Sequence, residues 1–500
     1  MPPTPNQQKE QRPIWRREPL WLIAVGLLWL HYGRGDGWLT GLAAAVPGLL
    51  LLGSGVSSWL WPGDPRERHF GGAGALLGVL LGLVSWTWLG IGGALLMSGA
   101  SLFAAGAVGF LTLRIQAVED HVPPPARTVR TALEVSLDEA ILAQMTLSAP
   151  PRALQSDGER VVGEVQEALA LFRDRGLLEK PIGYHATPPP LDQVDLTPRS
   201  VRGIRFEHLR FESGYEPPEG DPGRERYLSY APPRTAHAWV LRHREGCERR
   251  PWLVCIHGYQ MGTPLVDFGA FRPEWLQERL GFNLILPVLP MHGPRRIRRM
   301  SGDGMLSGDL LDTVHAFAQT AWDLRRIVSW VRAQCATQIG VFGLSLGGYS
   351  TALLSCFESD LACAIAGIPA TDFARLSWRH GPPDSLRAAE EMGVGLNEIT
   401  NLKKVVSPLA LEPKIARERR YIFGGSADQL VPPDQVRDLW LHWGRPKVHW
   451  YPGAHVTFGV HPPVRRFIED ALRESGLTTG GTRPSEEPGT QLRDAGVAVG

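Results

Sequence analysis

Five hundred residues exceed one ordinary domain, and 52 basic against 51 acidic side chains leave a net charge of +1, too little field to gather nucleic acid or an acidic polymer. Nucleic-acid binding is therefore not expected. The cysteines, Cys247, Cys255, Cys335, Cys356 and Cys363, form an odd set without CxxC spacing, which argues against a disulfide framework or a zinc site and for small core residues in a reducing compartment.

Apolar stretches come first along the chain. Residues 38–61 carry no charge and, at ~1.5 Å rise per residue, exceed the ~30 Å hydrocarbon core of a bilayer. Residues 70–113 form an uncharged run about twice as long as one span needs, with Gly90, Gly92 and Gly93 near the middle, so two spans joined by a tight reversal are expected. Residues 20–32 are apolar but short, bounded by Arg16, Arg17 and Glu18 before and Arg34 and Asp36 after. No small-residue cleavage site follows them, which argues against a signal peptide. Buried helices of a soluble domain show a charged outer face, which these stretches lack.

A membrane domain of about four helices is thus expected at 19–114, after a cytoplasmic segment at 1–18. With four spans, Lys9, Arg12, Arg16, Arg17, Arg66, Arg68 and Arg114 share one side and Arg34 alone lies on the other. The positive-inside rule then makes this a multi-pass membrane protein whose N-terminus and entire later part face the cytoplasm. Should the first stretch not insert, the parity reverses.

Residues 115–200 read as a helical connector, with helical periodicity at 130–145 and 160–178 around Ala149-Pro150-Pro151, and a Pro-rich stretch at 187–190. Residues 478–500, rich in Gly, Thr, Pro and Glu, read as a disordered tail. Between them, at 201–477, short β-type runs alternate with helical ones. An antiparallel pair is expected at 204–211 and 237–241, and further strands at 252–256, 283–287, 338–342, 362–368, 420–423 and 447–451, with a helix at 322–331. The central runs are continuously apolar, as in parallel sheets buried on both faces, so the class is α/β with a doubly wound, mostly parallel sheet.

The sequence Gly343-Leu344-Ser345-Leu346-Gly347 lies between the run at 338–342 and a helical stretch, the context of a nucleophile elbow. So sharp a turn strains the serine backbone and leaves no room for side chains at the flanking glycines, while the helix dipole favours developing negative charge at Ser345. Here the chain resembles the α/β-hydrolase superfamily, over roughly 201–477. The resemblance implies an acid after a late strand and a base after the last one. Asp428, in Gly424-Gly425-Ser426-Ala427-Asp428-Gln429-Leu430-Val431-Pro432, and His455, in Pro452-Gly453-Ala454-His455, stand at those places. It also implies an oxyanion hole from the backbone N–H groups of Tyr259 and Leu346, with His257 a structural residue of the His257-Gly258 turn. Asp372 is a reserve acid, more simply read as a helix cap.

The basic loop at 291–300 follows a central strand, where His292, Arg295 and Arg296 are candidate substrate contacts for a phosphate, a carboxylate or an anionic lipid surface; a solvated loop accounts for them equally. In the insertion at 375–418, Trp378, Met392 and Val394 are candidates for a lid or for plain packing. The resemblance implies a serine hydrolase cleaving an ester or related acyl bond, with no metal and no cofactor, on a small-molecule or lipid acyl substrate near the membrane. A peptidase resembling the prolyl oligopeptidase group is the second reading, through Gly-x-Ser-x-Gly-Gly and Gly-x-x-Asp-x-x-Val-Pro. A non-catalytic membrane scaffold is the third.

Overall fold

In the computed structural model, which describes residues 17–61, 63–148, 157–381 and 383–477, the apolar N-terminal stretches are helices α1 (Glu18–His31), α2 (Trp38–Leu60), α3 (Arg66–Val84) and α4 (Trp86–Ile115). Lys9, Arg12 and Arg16, the Ala149-Pro150-Pro151 break and the tail at 478–500 lie outside the described residues. The helices run up and down side by side. Arg114, at the end of α4, pairs with Glu18 at the start of α1 at 2.9 Å, and Ser54 near the end of α2 donates to Glu67 O at 2.6 Å. At the other end, Trp88 Nε1 donates to Gly33 O at 3.0 Å.

The α3–α4 reversal spans Ser85 to Gly90: Gly90, at φ 71°, supplies the left-handed backbone there, while Gly92 and Gly93 continue the helix. By length and composition, α2 (23 residues) and α4 (30 residues) are long and apolar enough to cross a membrane, whereas α1 has 14 residues and α3 opens on Arg66-Glu67-Arg68-His69. The outer face of the bundle exposes large apolar side chains, including Trp38 (78%), Ile91 (73%) and Leu95 (67%).

Both connector helices form. The second, Gly158–Asp174, turns Val165, Ala168, Leu169 and Phe172 into the core beside the sheet. The first, α5 (Val129–Ser148), lies across the end of the bundle. A Cβ on Gly109 of α4 would sit 1.8 Å from Ala132 O of α5, and one on Gly72 of α3 would sit 2.8 Å from Ser136 O. Only glycine permits backbones so close.

The sheet contains β1 (Asp195–Val201), β2 (Ile204–Glu212), β3 (Thr235–Leu241), β4 (Trp252–Ile256), β5 (Asn283–Val288), β6 (Ile339–Leu344), β7 (Cys363–Gly367), β8 (Arg420–Gly425) and β9 (Lys447–Tyr451). Their spatial order is β1-β2-β3-β5-β4-β6-β7-β8-β9; β1, β2, β3 and β5 pair antiparallel in succession, and every pairing beyond β5 is parallel. This is an α/β-hydrolase fold with one added strand at its antiparallel edge.

That added strand, β1, falls inside the stretch assigned to the connector. It is an edge strand carrying Pro198 with no fully buried position, so no apolar pattern marks it. The helix expected at 322–331 runs from Leu310 to Ala333, because its first half is buried with polar residues, among them Thr313, His315 and Gln319, that hide the amphipathic period. Strands β4 to β7 are buried at every residue, between one core containing Phe317, Tyr349 and Trp443 and another containing Phe271, Phe342 and Phe423.

Replacing Gly109 by Ala forces the α4–α5 contact apart. Overpacking of this kind costs about 1–3 kcal/mol, so a thermal unfolding midpoint several degrees below wild type is expected for the full chain. An unchanged midpoint would show that α5 is not seated on α4.

Candidate active site

Ser345 links β6 to the helix Leu346–Leu354 with φ 57° and ψ −113°, a region that non-glycine residues rarely occupy. The neighbouring glycines explain how the chain holds it. A Cβ on Gly343 would lie 1.9 Å from Gly347 O, and one on Gly347 would lie 1.9 Å from Ile256 O at the end of β4. The elbow and β4 therefore interlock through bare backbone. Ser345 N donates to Gly367 O at 2.8 Å, tying the turn to β7, and the side chain is partly exposed at the carboxyl edge of the sheet.

The His257-Gly258 turn reaches the same place. A Cβ on Gly258 would stand 3.4 Å from Ser345 Cβ. His257 is structural: its Nδ1 donates to Gly258 O at 2.8 Å, its Nε2 accepts from Leu289 N at 3.1 Å, and burial pushes its pKa down to about 4, which keeps it neutral. The N–H groups of Tyr259 and Leu346 have no hydrogen-bond acceptor among the described residues. Leu346 is the first residue of its helix, where the N–H has no intrahelical partner.

Asp428 and His455 meet across the loops that follow β8 and β9. His455 Nδ1 lies 2.6 Å from Asp428 Oδ2, and Asp428 Oδ1 accepts from Val431 N at 2.8 Å. A carboxylate acceptor assigns the proton to Nδ1 and leaves Nε2 with its lone pair. Both residues are buried. Burial opposes a charged imidazole, but the charge of Asp428 and its hydrogen bond outweigh that penalty and raise the pKa of His455 above 6.5. No hydrogen bond joins Ser345 Oγ to the ring among the described residues. Asp372 is a helix cap, accepting from Arg375 N at 3.0 Å, and takes no part in this cluster.

The basic loop is corrected at two positions. Arg295 is buried, ion-paired with Asp323 at 2.8 Å and donating to Val288 O and Pro233 O, so it braces the loop and is closed to substrate. His292 is buried against His257 and Tyr259, with its pKa pushed down to about 3 by burial and by His257. Arg296 is exposed. In the insertion, Val394 and the partly buried Trp378 pack with the main core, while Met392 reaches the surface.

A third carboxylate stands beside the pair that sequence reasoning missed. Asp138 of α5 is fully buried, and its Oδ2 accepts from both His455 N, at 2.9 Å, and Gln429 N, at 3.0 Å. Its one sequence signal is a spacing, Thr131, Glu134 and Asp138 falling on one face of an amphipathic helix.

Two curated relatives match the chain: uncharacterized protein MT2702 of Mycobacterium tuberculosis (strain CDC 1551 / Oshkosh) and uncharacterized protein Rv2627c of Mycobacterium tuberculosis (strain ATCC 25618 / H37Rv), each 41% identical over 360 residues, covering 72% of this chain and 86% of theirs. The chain belongs to their family. The matched length is greater than the distance from Asp195 to the end of the chain, so the family relationship reaches back into the helices that precede the sheet. No family model matches. Among solved structures, acetyl xylan esterase 1 from Thermoanaerobacterium sp. JW/SL YS485 aligns at 16% identity and TM-score 0.39, covering 59% of this chain and 93% of that one. An acylaminoacyl peptidase from Pyrococcus horikoshii aligns at 17% identity and TM-score 0.34, covering 56% and 41%.

A direct check of the cluster is the titration of His455 by ring-proton NMR. The midpoint is expected above 6.5 in the wild type and lower in Asp428→Asn, which removes the charge that favours the imidazolium. Equal midpoints would mean that the two side chains are not paired in solution.

Proposed function

We propose that the chain is a membrane-attached serine hydrolase that cleaves an ester or related acyl bond through Ser345, His455 and Asp428. The observation that carries this reading is the buried Asp428–His455 pair, 2.6 Å apart, on the same sheet edge as a strained serine elbow. Ser345 Oγ attacks the acyl carbon and His455 Nε2 takes its proton. The N–H groups of Tyr259 and Leu346 hold the resulting oxyanion, and the leaving alcohol departs with the proton from His455. Water then attacks the acyl-enzyme by the same route and releases the acid. Asp428 keeps the proton on Nδ1 throughout. The Ser345–His455 contact is the one this scheme still requires, and such contacts commonly tighten only once substrate is bound.

Membrane attachment is supported by α2 and α4, by the uncharged outer faces of the bundle and by Trp38, Trp59, Trp61 and Trp86 at the helix ends, where tryptophan favours the lipid–water boundary. Arg66, Arg68 and Arg114 gather at the end that faces the sheet, consistent with four spans and a cytoplasmic catalytic domain. A lipid acyl ester is the favoured substrate class, because the anchor holds the site beside acyl chains. The peptidase reading keeps its support in the Gly343–Gly348 and Gly425–Pro432 motifs.

A fluorophosphonate probe is expected to label wild-type protein at Ser345 and to leave Ser345→Ala unlabelled, with Asp428→Asn about 10⁴-fold slower through the wrong imidazole tautomer. An unlabelled wild type would favour a non-catalytic scaffold; turnover of proline peptides but not acyl esters would favour the peptidase. In cell fractions the protein is expected to stay with membranes after an alkaline carbonate wash and to need detergent for release. Recovery in the wash would remove the membrane assignment.

A further inference from the structure

Helix α5 has two working faces. One meets the bundle: Glu139 bonds His69 Nδ1 and accepts from Thr112 Oγ1, while Ala132 and Ser136 lie against Gly109 and Gly72. The other meets the loops that bear Asp428 and His455. Thr131 Oγ1 donates to Pro452 O at 3.3 Å, and Glu134 Oε2 accepts from Thr457 Oγ1 at 2.9 Å and pairs with His461 Nε2 at 3.1 Å. One turn on, Asp138 Oδ2 receives His455 N and Gln429 N together.

Gln429 is the residue after Asp428, so a single oxygen atom grips the acid loop and the base loop at the same time. Both are pinned by a helix that precedes the sheet, and Gln116, at the end of α4, adds a bond to Ser426 O at 2.8 Å on the acid loop. Asp138 has no basic partner among the described residues. The charges nearest to it are the imidazole of His455 and the carboxylate of Asp428, with Tyr451 from β9 and the Glu134–His461 pair around them.

We propose that Asp138 is a positioning residue of the hydrolytic site, fixing the spacing of the Asp428 and His455 loops and presenting negative charge to the imidazole, so that the site is complete only when the N-terminal helices are docked. The proposal rests on the Ser345–His455–Asp428 reading. Its electrostatic half stands on that geometry and on the part the Asp138 carboxylate plays in raising the pKa of His455; burial and the neighbouring Asp428 charge push Asp138 itself up to about 7, so its negative charge acts on the imidazole in the range around and above that value. Removing that charge favours the neutral imidazole, so the acid limb of the rate profile moves to lower pH.

The test measures the rate constant for fluorophosphonate labelling of Ser345 against pH in the full-length protein, with unfolding midpoints taken in parallel. Asp138→Ala frees both loops and is expected to lower the rate on the order of 10²-fold, the usual effect of an ångström-scale misplacement. Asp138→Asn keeps an acceptor oxygen for the two N–H groups, so it is expected to fold, to retain most of the rate and to shift the acid limb downward. A residue that only supported the fold would lower the midpoint in both variants and leave the limb where it was. An unmoved limb in Asp138→Asn, or a wild-type rate in Asp138→Ala, overturns the proposal while wild-type labelling preserves the hydrolase reading. A wild type that is not labelled removes both.

Discussion

The close approach of Gly347 to the carbonyl of Ile256 is the constraint on which the α/β domain is built. It brings the end of β4 and the helix after β6 together with nothing between their backbones. Ser345 is left in a conformation that costs about 1–3 kcal/mol, and the surrounding strand pairings must over-determine it. The bond from Ser345 N to Gly367 O is part of that determination. The same approach sets the His257-Gly258 turn beside the serine, so the N–H groups of Tyr259 and Leu346 are brought near Ser345 by the scaffold that strains it.

Helix α5 is the second organising element, and its character comes from having no solvent-facing role along most of its length. Ala132, Val135 and Leu113 form a small apolar cluster with Ala427 and Ala454, the residues just before Asp428 and His455. Around this cluster the polar face of α5 satisfies loop N–H groups that would otherwise be buried without acceptors, a loss of about 1–3 kcal/mol each. The acidic stripe of α5 thus completes the hydrogen bonding of two loops belonging to another part of the chain.

This arrangement joins the N-terminal helices to the loops of Asp428 and His455. The ends of α3 and α4 seat α5, and α5 seats the loops of Asp428 and His455. Displacement of the bundle relative to the sheet would therefore be felt at the imidazole, through packed backbone and a buried carboxylate, without passing through flexible linkers.

By itself the sequence determined the strand–helix alternation, the elbow at Ser345 and the extended apolar stretches, because each is written in the periodicity, turn chemistry or composition of one continuous segment, while Asp428 and His455 were picked out by the α/β-hydrolase resemblance from their places after late strands. The strand Asp195–Val201 was illegible because an exposed edge imposes no apolar pattern, and the burial of Arg295 was illegible because its partner Asp323 lies on another element. Only the tertiary structure decided that Asp138 joins the Asp428 and His455 loops. That bond links residues some 290 to 317 positions apart, and a lone acid on an amphipathic helix looks the same in sequence whether it faces water or a buried pair of N–H groups.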